Sequence, residues 1–442
     1  MDRRPHLIPL ASCAGLPGAR VGRKAAVLGW AAANAMVTPG GLVLAAEAFW
    51  AALDACGAAG RARYLQASAV RLDPVQAHAV AAGIADAMRS PAVDGLARTA
   101  ADEAFGALDA QPLGALNAQP LGALNAQPLV CRSSAAMEDG PAAAFPGVFV
   151  SVLGIGSPAE LAAAVATCWR SAFSPGALAY VLRMGVEPID LSLALLLQRQ
   201  VEARWYGVYA GVDPVTGVAE PVADLTDAGP DALVAGGRPT IEARRRRGRW
   251  SGAPGLEASL ESVHGMAGVL AGHLGAEVDI EFALAAAGAE PVLLQCRPLT
   301  AIGRRGVPAS SPAGEALAGR PCAAGRAAGV GNALGGIAVV DRLTTADAAV
   351  VLGHAGVVTE HDASPLGHVA ILCRELGVAL ICGVADAQAR LDGRWVEIDG
   401  ATGAIAAGDP RPPAKPGPAP PPAKPGPAPP PAKPGPAPPP AK

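Results

Sequence analysis

Gly356-Val357-Val358-Thr359-Glu360-His361-Asp362-Ala363-Ser364-Pro365-Leu366-Gly367-His368-Val369-Ala370-Ile371-Leu372-Cys373-Arg374-Glu375-Leu376-Gly377 is the stretch whose reading decides the fold. A short apolar strand runs into a polar loop, and the loop closes at His368, where an apolar helix begins. The first turn of a helix leaves N–H groups unpaired and carries a partial positive charge, which suits a side chain that will hold phosphate. A lone histidine at such a point also has a purely structural reading, and these residues alone leave both open. The apolar run after His368 continues the helix, and Cys382-Gly383-Val384 lies beyond it.

Working outward, 442 residues are enough for two or three domains and a substantial core. A net charge of −3 points to neither nucleic acid nor an anionic membrane as an obligate partner. No run of 18 apolar residues is long enough to span a bilayer, and Met1-Asp2-Arg3-Arg4-Pro5 leads into no secretory-type apolar core. The 8 cysteines include no C-x-x-C pair, so reduced thiols in a cytoplasmic protein are expected.

Two repeats interrupt the chain. The octapeptide Gly-Ala-Leu-(Asp/Asn)-Ala-Gln-Pro-Leu recurs in tandem over 106–129, too short and too proline-broken for a solenoid, and reads as an expanded surface loop. Residues 409–442 carry a Pro-Pro-Ala-Lys-Pro-Gly-Pro-Ala-Pro repeat, expected as a disordered, extended polyproline tail. Three blocks remain. Residues 7–105 are mixed α/β, with helical periodicity at Arg23–Trp30, Ala45–Leu53 and Val75–Met88. Residues 130–302 alternate helices with strand-like runs, and 319–408 hold His368. The polar stretch between them, 303–318, reads as a linker. Arg244-Arg245-Arg246-Arg247-Gly248-Arg249 reads as a solvated charge run.

Chemistry concentrates in two further segments. Cys131-Arg132-Ser133-Ser134-Ala135-Ala136-Met137-Glu138-Asp139 ends a strand in a guanidinium and two hydroxyls, which can meet a triphosphate. A salt-bridged arginine with a serine N-cap is the plainer alternative. In Val278-Asp279-Ile280-Glu281-Phe282 and Leu294-Gln295-Cys296-Arg297-Pro298, alternation puts Asp279 with Glu281 on one face and Gln295 with Arg297 on another. Paired as a hairpin, these bring two carboxylates, an amide oxygen and a guanidinium to one surface. Hard oxygen ligands suit Mg²⁺ bridging phosphates, although a salt-bridged hairpin would look the same.

Taken together, these segments resemble the phosphoenolpyruvate synthase and pyruvate phosphate dikinase family over roughly residues 15–408. The family's Arg-Ser-Ser-Ala-x-x-Glu-Asp, Asp-Ile-Glu-Trp and Leu-Gln-x-Arg-Pro motifs match the segments just quoted. Its Gly-Gly-Lys-x-x-x-Leu-Gly matches Gly22–Gly29, with Arg23 in place of the second glycine. The resemblance implies an α/β fold: an ATP-grasp nucleotide-binding domain over 1–302, then a swivelling β/β/α phosphohistidine domain over 319–408. It implies ATP and Mg²⁺ as cofactors, with His368 as the phosphoryl acceptor and Arg132 and Arg297 as its catalytic partners. Lys24, Arg132 and Arg297 would meet the polyphosphate, Gln198, Gln200 and Val201 would line the base pocket, and Glu281 and Gln295 would hold the metal with help from Asp279. A neutral imidazole is the required nucleophile, so activity is expected to fall at acidic pH.

The resemblance also sets expectations by its departures. Gly367 replaces the hydroxyl residue that commonly precedes the histidine, and His361 is a fallback acceptor. Full-length phosphoenolpyruvate synthases continue into a pyruvate-binding barrel, whereas only the proline repeat follows here. The phosphoryl acceptor is therefore expected elsewhere, as a small molecule, a protein or a separate pyruvate-binding chain. A nucleotide-binding regulatory or scaffold protein that no longer turns over is the alternative.

Overall fold

The structure is a computed structural model and describes residues 6–110, 127–139, 147–184, 190–229, 239–300, 302–303, 315–344 and 347–408. The linker 304–314, most of the octapeptide repeat (111–126) and the proline tail lie outside the described residues.

The first lobe is built on β1 (Leu7–Pro9), β2 (Leu42–Leu44), β3 (Leu129–Ala135), β4 (Ser151–Ile155) and β5 (Leu193–Arg199), in the antiparallel order β1-β2-β5-β3-β4. β5 sits at the centre and every one of its residues is buried, as expected of a strand covered on both faces. Seven helices cover the sheet: α1 (Gly18–Ala33), α2 (Ala46–Ala55), α3 (Ala59–Ser68), α4 (Pro74–Ala87), α5 (Pro91–Ala110), α6 (Pro158–Ser171) and α7 (Pro175–Met184). Their buried faces are rich in alanine, which lets helices approach closely; Phe49, Trp169 and Tyr180 fill the larger gaps. Helix α4 starts on an Asp73 side-chain cap with Pro74 at its first position, and α6 likewise on Ser157 with Pro158.

The second lobe is a six-stranded antiparallel sheet: β6 (Trp205–Ala210), β7 (Val222–Thr226), β8 (Ile241–Arg246), β9 (Arg249–Ser251), β10 (Val278–Leu284) and β11 (Val292–Pro298), ordered β11-β10-β6-β7-β8-β9. Helix α8 (Glu257–Leu274) packs on its far face and ends at the left-handed Gly275. The arginine run forms the β8–β9 hairpin, where Arg244, Arg245 and Arg246 pair with Asp213, Glu261 and Glu220. Those pairs make it a charge-balanced surface.

The C-terminal domain stacks two four-stranded sheets. One holds β12 (Glu315–Ala318), β14 (Arg326–Val330), β18 (Trp395–Asp399) and β19 (Ala404–Gly408); the other holds β13 (Arg320–Ala323), β15 (Ile337–Val340), β16 (Gly356–Thr359) and β17 (Ala379–Cys382). Strands β15, β16 and β17 run parallel, and the crossover between the last two carries α10 (His368–Leu376). The short helices α9 (Ala348–Gly353) and α11 (Ala387–Leu391) complete the domain. This is the β/β/α arrangement expected of 319–408, beside an α/β nucleotide-binding body.

Two boundaries differ from the sequence reading. Residues 106–110 are the last turn of α5, so the repeat enters as helix and not as loop. Glu315–Ala318, read as linker, is instead an edge strand paired with Ala404–Ala407. Its Glu-Ala-Leu-Ala has weak strand propensity, so tertiary pairing decides its conformation. Among the described residues, no helix is long and apolar enough to cross a membrane.

Candidate active site

A cleft of about 160 Å³, open to solvent at its mouth, separates the two sheets of the N-terminal body. Lys24, Arg132, Gln198, Gln200, Val201, Glu281, Gln295, Arg297 and His368 all line it.

The floor begins with a kink. Gly22 interrupts α1 at φ 73°, and a Cβ there would lie 1.9 Å from the Ser134 carbonyl oxygen. Only glycine lets α1 lie this close to β3. Ser134 Oγ donates to the Val21 carbonyl at 2.9 Å and accepts from Ala25 N at 3.1 Å, stitching helix to strand. Lys24 is thereby aimed inward, where Nζ donates to the Ser133 carbonyl at 3.0 Å and to Glu138 Oε1 at 2.9 Å. Arg23 turns away and donates to the Ala136 carbonyl.

The wall is the β10–β11 hairpin, with Asp279 opposite Arg297 and Glu281 opposite Gln295. Arg132 reaches it from β3: Nη1 donates to the Leu294 carbonyl at 2.6 Å, and Nη2 to Gln295 Oε1 at 2.7 Å and Glu281 Oε2 at 3.3 Å. Behind them, Arg297 Nη2 donates to Asp279 Oδ2 at 3.1 Å while Nη1 lies 3.9 Å from Asp139 Oδ1. Gln295 Nε2 donates to both oxygens of Asp139 at 3.2 Å. Burial pushes the Asp139 carboxyl up to about 7, with Glu138 adding to the rise and Lys24 and Arg297 opposing it. Burial also works to raise Glu281, but His368 and Arg132 outweigh it and hold the carboxyl down at about 2. Glu281 is therefore an anion at any physiological pH.

The other end of the cleft suits a base. Gln198 donates to the Gly40 carbonyl at 2.7 Å, and the Gln200 side-chain oxygen accepts from Gly154 N. The Val201 carbonyl accepts from the Tyr206 hydroxyl, and Val130, Leu153, Val208 and Leu294 supply apolar walls. A heterocycle between such walls meets backbone polar groups at its edge.

His368 enters from the C-terminal domain as the first residue of α10, with Gly367 as N-cap. Its Nε2 lies 3.6 Å from Glu281 Oε1, ion-pair range and longer than a hydrogen bond. His361 stands elsewhere: its Nδ1 is 2.9 Å from Asp341 Oδ1, the ring is half exposed, and it does not line the cleft.

One expected ligand does not reach the cleft. Asp279 shares a strand face with Glu281, but it is 3% exposed, carries the Arg297 guanidinium and does not line the cavity. Burial raises its carboxyl, and its role here is to neutralise Arg297. Glu281 and Gln295 are hard oxygen donors facing the cleft, which fits Mg²⁺ held by one or two protein ligands plus phosphate oxygens. Among the described residues, no group of three or more His, Cys, Asp or Glu side chains is arranged to hold a metal alone. Sequence reasoning quoted Glu138 and Asp139 at the end of the Arg-Ser-Ser segment but gave neither a role. Their adjacency to that cationic segment was the available signal.

Comparison with known proteins agrees with this geometry. Residues 18–239 match the family described as "Pyruvate phosphate dikinase, AMP/ATP-binding domain", and residues 333–403 match "PEP-utilising enzyme, mobile domain". The chain is 26% identical over 325 residues to a probable phosphoenolpyruvate synthase of Archaeoglobus fulgidus, covering 63% of this chain and 43% of that protein. It is 26% identical over 358 residues to the phosphoenolpyruvate synthase of Aeropyrum pernix, covering 63% and 44%. A shorter match, 37% identical over 86 residues, joins 20% of this chain to 10% of a rifampicin phosphotransferase of Streptomyces. The chain thus spans less than half the length of the phosphoenolpyruvate synthases it matches.

Proposed function

Because this chain belongs to the family of pyruvate phosphate dikinase and phosphoenolpyruvate synthase, we propose that it takes a phosphoryl group from ATP onto Nε2 of His368 and passes it to an acceptor bound outside the cleft. The observation that carries this reading is the meeting of two domains at one point. A histidine from the C-terminal domain has its Nε2 3.6 Å from a carboxylate of the nucleotide cleft.

The roles follow from the cleft. The adenine lies between the apolar walls at the Gln198–Val201 end, and the polyphosphate runs toward Arg132 and Lys24. Both cations are held by carboxylates, so phosphate oxygens replace an existing partner without a long reorganisation. Arg297 stands behind them and biases the potential of the site. Mg²⁺, held by Glu281 and Gln295, supplies neutralisation of charge on the phosphates when bound. Nε2 attacks the β-phosphorus with its lone pair, AMP leaves as the α,β-anhydride bond breaks, and the γ-phosphoryl group then passes to water as phosphate. His368 must therefore be neutral at the moment of attack, and Gly367 keeps its N-terminal turn open to the anion. The acceptor is a small molecule or a protein, and a separate pyruvate-binding chain fits the relatives' names.

The test is incubation with ATP labelled in the β-phosphoryl group. The protein should acquire acid-labile, base-stable label. His368→Ala should abolish it while leaving ATP affinity within about threefold, since the base and most phosphate contacts lie on the other domain. Label that survives in His368→Ala and vanishes in His361→Ala would assign the carrier wrongly. Absence of label in the wild type, with ATP bound, would favour the regulatory or scaffold alternative.

A further inference from the structure

Helix α10 is tied to the N-terminal body at both ends. Ahead of it, Ser364 Oγ donates to Asp224 Oδ2 on β7 at 2.6 Å and accepts from Leu366 N at 2.9 Å. Leu366 itself is 2% exposed and packs into an apolar socket made by Val208, Ala210 and Val222 of β6 and β7. At the far end, Glu375 Oε1 accepts from Thr300 Oγ1 at 2.6 Å, and Oε2 accepts from the Tyr180 hydroxyl of α7. Beside the first tie, Arg320 holds Asp362 of the carrier loop with Nε at 2.6 Å and reaches Glu242 on β8 with Nη2 at 2.7 Å. Within the loop, Arg374 Nη1 donates to the Pro365 carbonyl at 2.6 Å, so loop and helix move as one piece.

We propose that Asp224 and Glu375 are positioning residues that clamp α10 at its two ends, and that this clamp sets His368 over the nucleotide cleft. The inference rests on the phosphoryl-transfer reading above. One attachment would leave the helix free to pivot. Two attachments, separated by the length of the helix, fix its position and tilt. The Leu366 socket with the Arg320–Asp362 pair beside the first of them opposes rotation about its axis, which together sets the direction of the His368 ring. Asp224 is almost fully buried, and its carboxylate accepts from the Ser364 hydroxyl of the carrier loop. The Ser364 hydroxyl, Arg320 and Arg244 all face it and oppose the cost of its burial. Neither end touches the reacting atoms, so both act through α10. The polar contacts of the clamp are few, and they lie beside an apolar core that the two domains share.

Hydrogen–deuterium exchange of the nucleotide-free full chain and labelling from β-labelled ATP test this together. In Asp224→Ala and Glu375→Ala, exchange across 360–367 should rise roughly tenfold, the loss of a charged hydrogen bond. Exchange across the β10–β11 hairpin should not change, and the ATP dissociation constant should stay within about twofold. Labelling of His368 should slow roughly tenfold in both variants. Asp224→Asn keeps an acceptor for Ser364 and should label within about threefold of wild type. Unchanged exchange in both alanine variants would overturn the clamp, as would Asp224→Asn labelling as slowly as Asp224→Ala. A wild type that takes no label would sink the transfer reading alone, since the exchange arm still decides the clamp. Should Asp224→Ala not fold, Glu375→Ala answers the question from the other end.

Discussion

The two surfaces that meet at His368 are built in opposite ways. On the cleft side, three cations are locked into carboxylates: Lys24 on Glu138, Arg132 on Glu281, Arg297 on Asp279. Two of these three pairs are almost fully buried, and the third is anchored by three hydrogen bonds. On the carrier side, the loop before His368 is held by the Ser364–Asp224 hydrogen bond, the Leu366 socket and the Arg320–Asp362 pair, and the far end of α10 by the two hydrogen bonds of Glu375. The difference separates two requirements. Charge stabilisation works best when donors are fixed beforehand, whereas a carrier has to leave. Rigidity is concentrated on the side that stays with the nucleotide.

The largest effect expected from breaking that contrast is in the hairpin. Removing one partner of a buried ion pair leaves the other charged and unsolvated, which costs about 3–5 kcal/mol. Arg297→Ala strands Asp279 in this way and should lower the denaturant midpoint severely. Glu281→Gln keeps size and one acceptor at a partly open position, so its stability should stay within about 1 kcal/mol. Its labelling rate should nonetheless fall by about 10²–10³-fold, the usual loss for a group that organises developing charge. The pair thus distinguishes a fold-bearing guanidinium from a chemistry-bearing carboxylate on adjacent registers. Wild-type stability in Arg297→Ala with only activity lost would show that Arg297 belongs with Arg132 as a direct phosphate ligand.

That distinction was the part of the site least legible in the sequence. Alternation put Asp279 and Glu281 on one face, and the cross-strand pairs bear the hairpin out. Alternation carries no information about which end of a face opens into a cavity, so Asp279 was expected to help hold the metal, whereas its carboxylate is paired with Arg297 and lies off the cleft lining. Strands β6, β10 and β11 and the helix beginning at His368 were readable because periodicity and glycine punctuation are local, whereas the two-body architecture came from the family resemblance and strands β7, β8 and β9 were not read as strands. The edge strand Glu315–Ala318 was not, because its pairing with β19 is made 86 to 92 residues away in sequence and its alanines favour no strand. Nor were the contacts of Ser364, Leu366 and Glu375, since nothing local marks a loop residue as the partner of a distant sheet.

A second effect, somewhat smaller, concerns how the rigid side is assembled. Gly22→Ala adds one carbon that would lie 1.9 Å from the Ser134 carbonyl oxygen, at a φ of 73° that alanine disfavours. Strain and overpacking each cost about 1–3 kcal/mol, so the helix should lift off β3 and carry Lys24 away from Glu138. ATP affinity should fall with stability in this variant. Gly40→Ala is the control: that glycine also has positive φ, 66°, but a Cβ there meets nothing within 4 Å. Equal losses in both would mean that backbone strain alone matters and that close approach of α1 to β3 does not.

The smallest expected effect sharpens the comparison from the carrier side. Burial pushes the Asp224 carboxyl from 3.8 up to about 6, with Glu242 adding to the rise and the Ser364 hydroxyl and Arg320 restraining it. A carboxyl with a raised folded-state pKa binds its proton more tightly when folded than unfolded. Its contribution to stability is therefore fully present below the unfolded pKa of 3.8 and is lost as pH rises through about 6. At pH above about 7 the ionised group is a standing cost on the order of 1–3 kcal/mol, an upper range given its coupling to three charged neighbours. Asp224→Asn removes the titration and keeps an acceptor for Ser364. Denaturant midpoints of variant and wild type should therefore coincide in mildly denaturing buffer below about pH 4 and diverge toward pH 8, the variant being the more stable. A rigid, folding-optimised contact would behave the other way, with the charged form favoured. If Asp224→Asn is instead the less stable protein at pH 8, the carrier side is held by a net-favourable ionic contact, and the contrast between a fixed cleft and a releasable carrier fails.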